Sequence, residues 1–328
     1  MTTILPRAHA IEPGRPITAA DPRAAAEPRS RRSSAAAVDR GIVSASDRRR
    51  RGVRATMASV NVLLLIGLLC LGLGPMLWLA KAALTPTQDT LRAPMAVFPN
   101  GIDWANLSAA WNDVHIGRYF ANTVKIAAGS WLAQILIATT GGYLLAILRP
   151  RYAKVLDAMV LSTLFIPSVV LLVPLYLTIL DPPAVGSSLI NTYWALWLPA
   201  GANAFNILLV KRFFENLPRE VLEAAATDGA GPFRLFWSVV LPMSKPIIGV
   251  VSVFAVMNSW KDFLWPLLVL PDPDLQPVSV RLPGIQSTTE LDVFLAALAI
   301  STLIPVLLFV AFQRMFLRGA GVGGAVKG

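Results

Sequence analysis

Six long apolar runs, at residues 61–83, 119–148, 156–180, 193–210, 247–270 and 291–312, constrain this chain more than any motif does. A helix rises 1.5 Å per residue, so about 20 apolar residues cross the roughly 30 Å hydrocarbon core of a bilayer. No water reaches that core to satisfy backbone N–H and C=O groups, which leaves the α-helix as the conformation for such a run. The expected fold class is therefore all-α, a polytopic membrane protein with six transmembrane helices. Hydrophobic residues make up 55% of the chain, charged residues 15%, and the mean hydropathy is +0.59, too apolar for an ordinary soluble domain. Prolines interrupt several runs: Pro167 and Pro174 in the third, Pro199 in the fourth, Pro305 in the sixth. Each frees a backbone carbonyl, and the resulting bend either borders a pathway or only serves packing. Ala80-Lys81-Ala82 imitates a signal-peptidase site. The apolar core before it exceeds the roughly 7 to 15 residues of a signal peptide, so residues 60–83 are read as a retained first transmembrane helix.

The formal charge is +10, and its distribution explains it better than nucleic-acid binding does. Residues 1–59 hold twelve arginines against five acids and almost nothing with which to build a core, so a disordered tail is expected. No aromatic residues interleave with those arginines, which argues against nucleic acid as a partner. The cluster at 48–51 with Arg54 abuts the first apolar run and suits anionic membrane lipid. In all, 23 of the 29 basic residues fall in the tail, in 149–154, in 211–245 or after residue 313. The opposite loops carry only Arg92, Arg118 and Arg281. Positive charge marks the cytoplasmic side. Both termini are therefore expected there, with residues 84–117 as an extracytoplasmic loop and 314–328 as a cytoplasmic tail. Cys70 has no partner for an internal disulfide, and His115, alone in its loop, reads as a solvated residue, so neither metal nor cofactor is expected.

One polar island, residues 217–246, has the composition of folded structure. Pro218 suits a first helical turn, Glu, Ala and Leu favour continuation through Ala226, and Asp228-Gly229 supplies an ending that tolerates positive φ. A second helix restarts at Pro232 with Phe233, Phe236, Trp237, Val240 and Leu241 on one apolar face, and Pro242 is expected to close it. Glu223-Ala224-Ala225, then Gly229, then Val239 with Leu241-Pro242 resembles the EAA loop of ABC importer permeases. The resemblance widens to about residues 118–328. Residues 119–123 (YFANT), Pro174-Leu175-Tyr176, Asn191-Thr192, Phe213-Phe214, residues 260–267 (WKDFLWPL) and the GAVKG ending are similar to the carbohydrate-uptake branch, of the maltose or glycerol-phosphate type.

What the resemblance implies is an ABC transmembrane type-1 domain over residues 118–313. Coupling to a separate ATPase would run through Glu223, Ala224, Ala225, Asp228, Gly229, Ala230, Leu241 and Pro242. The implied partners are a second homologous permease, two ABC ATPase subunits and an extracytoplasmic solute-binding lipoprotein. The implied action is import of a sugar or sugar-like solute across the cytoplasmic membrane by alternating access. No phosphate-binding GxxxxGK[ST] loop and no catalytic constellation occurs in the sequence, so an enzyme is not expected and ATP would be hydrolysed by the partners.

Asn203, Asn258, Trp260, Lys261, Asp262 and Phe263 are candidate pathway residues. Lys261 stands where the family pattern suggests Asn, and the adjacent charges Lys261-Asp262 cannot face each other on a helix. They either line a pathway or contact the partner permease, or they snorkel outward. Trp260, Phe263 and Trp265 either stack on a sugar ring or anchor the chain at the interface. The alternative reading, an ATP-independent secondary transporter or channel subunit, calls for ionisable residues central in several runs.

Overall fold

The computed structural model describes residues 51–96, 101–183 and 186–321, and among these every regular element is helical. The chain divides into two units, Met1–Leu68 and Leu69–Gly328. In the first, residues 51–68 belong to helix α1 (Arg51–Ala83), with Val60, Leu63, Leu64, Leu65 and Leu68 exposed along it. The disordered tail expected for 1–59 lies outside the described residues as far as residue 50. Residues 51–59 are helical instead. They carry Arg, Ala and Met and lead straight into an apolar run, so the helix propagates through them without a new nucleus.

The second unit is organised around α4 (Ile116–Tyr143), which continues as a π-helical turn over Leu144–Leu148. Buried residues recur along its whole length, from Ile116 and Tyr119 through Ile126 to Ala138 and Tyr143. They enter three successive apolar clusters. The first joins Ile116 and Tyr119 to Val278, Leu282, Ala296 and Ala297. The second joins Ile126 to Leu196, Trp265 and Val269. The third joins Ala138 and Tyr143 to Val210, Phe214, Phe236 and Val251. Close approach in the third needs Gly142, where a Cβ would lie 2.9 Å from Val210 Cγ1 and 3.1 Å from the Lys211 amide nitrogen.

Several expected spans are broken, and the breaks go further than the kinks expected from the prolines. The third is α5 (Ala153–Thr163), then a 3-10 turn at Ser168–Leu171 and α6 (Leu172–Leu180), bent by 104°. The bend falls at Pro167, which has no N–H to donate and holds an extended ψ of 130°. The fourth is α7 (Trp194–Gly201) and α8 (Ala204–Glu215). The fifth is α12 (Lys245–Lys261) and α13 (Leu264–Val269), interrupted at the extended Asp262. Among the described residues two helical stretches, Gly52–Ala83 and Ile116–Leu148, are long and apolar enough to cross a membrane, and up to four spans result if each of two bent pairs is one span. The last helix, α15 (Leu291–Gly321), runs past the expected end at 312; residues 322–328 of the expected tail lie outside the described residues.

The expected loops are partly helical. Residues 84–117 contain α2 (Thr87–Arg92) and α3 (Ala105–Asn112), and the polar stretch after α13 contains α14 (Val278–Ile285) with Val278, Val280, Leu282 and Ile285 buried. Asn122 and Thr123 of α4 hold that stretch. Asn122 Nδ2 donates to the Asp274 and Gln276 carbonyls at 2.7 and 3.2 Å, and the Val278 N–H donates to Thr123 Oγ1 at 3.0 Å.

Candidate functional site

The polar island folds as α9 (Arg219–Thr227) followed by α10 (Pro232–Leu235). Glu223, Ala224 and Ala225 lie in the middle of α9, and Asp228, Gly229 and Ala230 close it. Gly229 is left-handed at φ +82°, its N–H donates to the Ala226 carbonyl at 3.0 Å, and the Ala230 N–H reaches back to the Ala225 carbonyl at 2.9 Å. This is the Schellman arrangement, which satisfies two of the orphaned carbonyls at a helix end.

α9 has two dissimilar faces. Leu222 and Ala225, three residues apart, pack on the cluster containing Tyr143, Phe214 and Leu217. Glu220, Val221, Glu223, Ala224, Thr227 and Asp228 are exposed. Glu223 also borders a groove of about 300 Å³ with Arg149, Phe214, Glu215, Leu217 and Arg219. Beyond the turn, Tyr143 Oη donates to the Pro232 carbonyl at 2.8 Å, fastening the start of α10 to the end of α4. A load applied to the exposed face of α9 therefore bears on packed helices.

The second helix departs from its expected pattern. A π turn at Phe236–Val240 inserts an extra residue, Pro242 sits inside α11 (Leu241–Met243), and the chain turns by 80° into α12. The extra residue rotates the buried set to Leu235, Phe236 and Val240, leaving Phe233 and Trp237 78% and 52% exposed. Leu241 is half-buried and Pro242 exposed.

A second candidate site lies where the broken helices meet. A cavity of about 360 Å³ is lined by Ser130 and Gln134 of α4, Ser168, Asn203, Asn258, Ser259 and Asp262. Asn203, between α7 and α8, accepts the Asn206 N–H on its Oδ1 at 2.9 Å and so caps α8. Asn206 Nδ2 donates to Gln134 Oε1 at 2.6 Å, although both residues are buried. The lining offers hydroxyls, amides and one carboxylate, all able to hydrogen-bond a polar solute, and includes no cation.

The expected pathway residues are thus divided. Asn203, Asn258 and Asp262 share the cavity, while Trp260, Lys261 and Phe263 do not line it. Trp260 packs on Phe120 with ring centroids 5.5 Å apart, and Lys261 and Phe263 are exposed. Trp265 is buried, donating its Nε1–H to the Ala195 carbonyl at 3.0 Å. These aromatic side chains form no common platform, because the break at Asp262 separates Trp260 from Phe263 and Trp265. Gln134, Asn206 and the hydroxyls escaped the sequence reading; a lone amide within an apolar run was the available signal.

The family described as "Binding-protein-dependent transport system inner membrane component" matches residues 138–321, which include α9, the turn after it and the cavity's Asn203, Asn258 and Asp262. The chain belongs to this family. The permease is 29% identical to the sn-glycerol-3-phosphate transport system permease protein UgpE of Yersinia pestis over 269 residues, covering 79% of this chain and 94% of that protein. It is 30% identical to the melibiose/raffinose/stachyose import permease protein MelC of Bacillus subtilis over 237 residues, covering 71% and 84%. It is also 30% identical to the diacetylchitobiose uptake system permease protein NgcG of Streptomyces coelicolor over 246 residues, covering 73% and 80%. A chain from the crystal structure of a bacterial ABC transporter involved in the import of the acidic polysaccharide alginate shares the permease's fold, with a TM-score of 0.70 at 22% identity, over 81% of this chain and 97% of that one.

Proposed function

We propose that this permease forms one half of the pathway of an ATP-driven importer for a neutral sugar or sugar-like solute, with six membrane crossings and both termini in the cytoplasm. A second homologous permease supplies the other half. Two ATPase subunits grip the cytoplasmic loops, one of them pressing on α9, and an extracytoplasmic binding protein delivers the solute. The observation that carries this reading is the two-faced α9: one face is exposed and the other is packed on α4, whose Ser130 and Gln134 border the polar cavity, and on α8, which the cavity residue Asn203 caps. Closure of an ATPase dimer on the exposed face would move those helices and change access to the cavity. Support for a neutral cargo comes from the lining, where hydroxyls and amides are joined by Asp262 alone among charged groups, a poor match for an anionic phosphate ester.

The test is uptake by the reconstituted complex. ATP-dependent uptake that falls at least tenfold with Glu223→Ala combined with Gly229→Val, while ATP hydrolysis continues, is the expected result. Uptake driven by an ion gradient with no ATPase present would overturn the proposal.

A further inference from the structure

A basic groove of about 530 Å³ lies where α4 ends and α5 begins, lined by Arg149, Arg151, Lys154 and Lys211 with the carboxylates of Asp157 and Glu215. We propose that it binds the phosphate headgroup of an anionic phospholipid. The inference requires that α4 cross the bilayer and does not depend on the transport reading.

The charges are unequally committed. Lys211 is 7% exposed, with its Nζ 2.7 Å from Asp157 Oδ1 and 3.5 Å from Glu215 Oε1, so the buried cation and both carboxylates are occupied with one another. Arg149, Arg151 and Lys154 join no ion pair among the described residues. The groove therefore retains a surplus of two positive charges, carried by side chains at its rim. Arg149 is oriented as well as charged. Its backbone is left-handed at φ +44°, its N–H donates to the Leu144 carbonyl at 2.9 Å, and its Nε–H donates to the Ala146 carbonyl at 2.7 Å. The two terminal nitrogens of its guanidinium remain available for a phosphate, whose oxygens match that fork.

Phosphate could come from a lipid or from solution, and the surroundings favour lipid. The groove sits at the end of Ile116–Leu148, one of the two stretches able to span a membrane, and so lies at headgroup depth. Val155 and Met159 follow on α5, four residues apart on one helical face, and are 57% and 59% exposed. They provide an apolar track for the acyl chains of a lipid whose headgroup occupies the groove. Basic pockets beside membrane helices recognise anionic headgroups by this combination.

The experiment counts lipids bound to the full chain by native mass spectrometry, after release from vesicles of phosphatidylcholine containing a minor share of phosphatidylglycerol. The expected result is selective retention of phosphatidylglycerol, roughly tenfold weaker in an Arg151→Gln/Lys154→Gln double variant, because each surface cation adds to the attraction. Each single variant should show an intermediate loss at unchanged melting temperature, since both side chains are exposed. Equal retention by wild type and double variant would overturn the proposal. So would complete displacement of the lipid by millimolar inorganic phosphate, which would make this a site for the free ion. Loss of a co-purifying ATPase with lipid retention intact would also overturn it, by making the groove a protein contact.

Discussion

Lys211 Nζ lies 2.7 Å from Asp157 Oδ1, joining α8, one turn before its end, to the first half of α5 in a protein whose Arg118–Asp274 pair is by contrast exposed. Glu215, one turn further along α8, stands 3.5 Å from the same ammonium. Helix α8 runs on through Asn216–Pro218 into α9, so this triad fixes the base of α9 to α5. Removing the cation should cost about 2 to 3 kcal/mol, somewhat below the range for a fully buried pair because Asp157 is one-third exposed. Thermal unfolding in nanodiscs should place Lys211→Ala well below Asp157→Asn, since in the latter Glu215 still holds the ammonium. The reverse order would contradict the assignment.

The crossing of α4 and α8 predicts a sharp dependence on side-chain size. At Gly142 even a Cβ meets Val210 and the Lys211 backbone, so Gly142→Val should destabilise by about 1 to 3 kcal/mol through overpacking. Gly67 has nothing within 4 Å, so Gly67→Ala should be neutral or gain up to about 1 kcal/mol from helix propensity. The melting temperatures of the two variants check this contrast directly.

The π turn after α10 determines which aromatic residues face the core. Phe236 is buried beside Tyr143, ring centroids 5.0 Å apart, so Phe236→Ala should cost about 3 kcal/mol or more. Trp237→Ala should change stability much less, because the ring is half exposed. Equal losses would indicate a regular helix with the apolar face that periodicity alone suggests.

Sequence legibility followed the strength of the local signal. The start of the second short helix at Pro232 and the left-handed Gly229 were both readable, because proline and glycine act through the backbone of their own turn. The helix breaks were harder. Pro167 marked one of them, yet nothing local distinguishes a mild kink from a bend of 104°, which depends on what α6 packs against. The Lys211–Asp157 pair and the Asn206–Gln134 hydrogen bond join residues more than fifty positions apart, so no spacing rule could have found them. Trp260 and Trp265 looked like one cluster because they are close in sequence, and the extended residue between them sends their side chains to different neighbours.

Gly229 tests whether α9 acts in the proposed coupling through its shape independently of its charge. Its φ of +82° costs a β-branched residue about 1 to 2 kcal/mol, whereas asparagine tolerates the left-handed region. Gly229→Val should therefore uncouple ATP hydrolysis from uptake in the assembled transporter, while Gly229→Asn retains most of the transport rate.

The central claim is that the exposed face of α9 lies on the cytoplasmic side and is covered by a motor protein. It is measured most directly by placing a cysteine at Glu223 in a Cys70→Ser background and labelling it with a membrane-impermeant maleimide in vesicles of both orientations. The account predicts reaction only in inside-out vesicles, and protection once the ATPase subunits are bound. Labelling of right-side-out vesicles would contradict it.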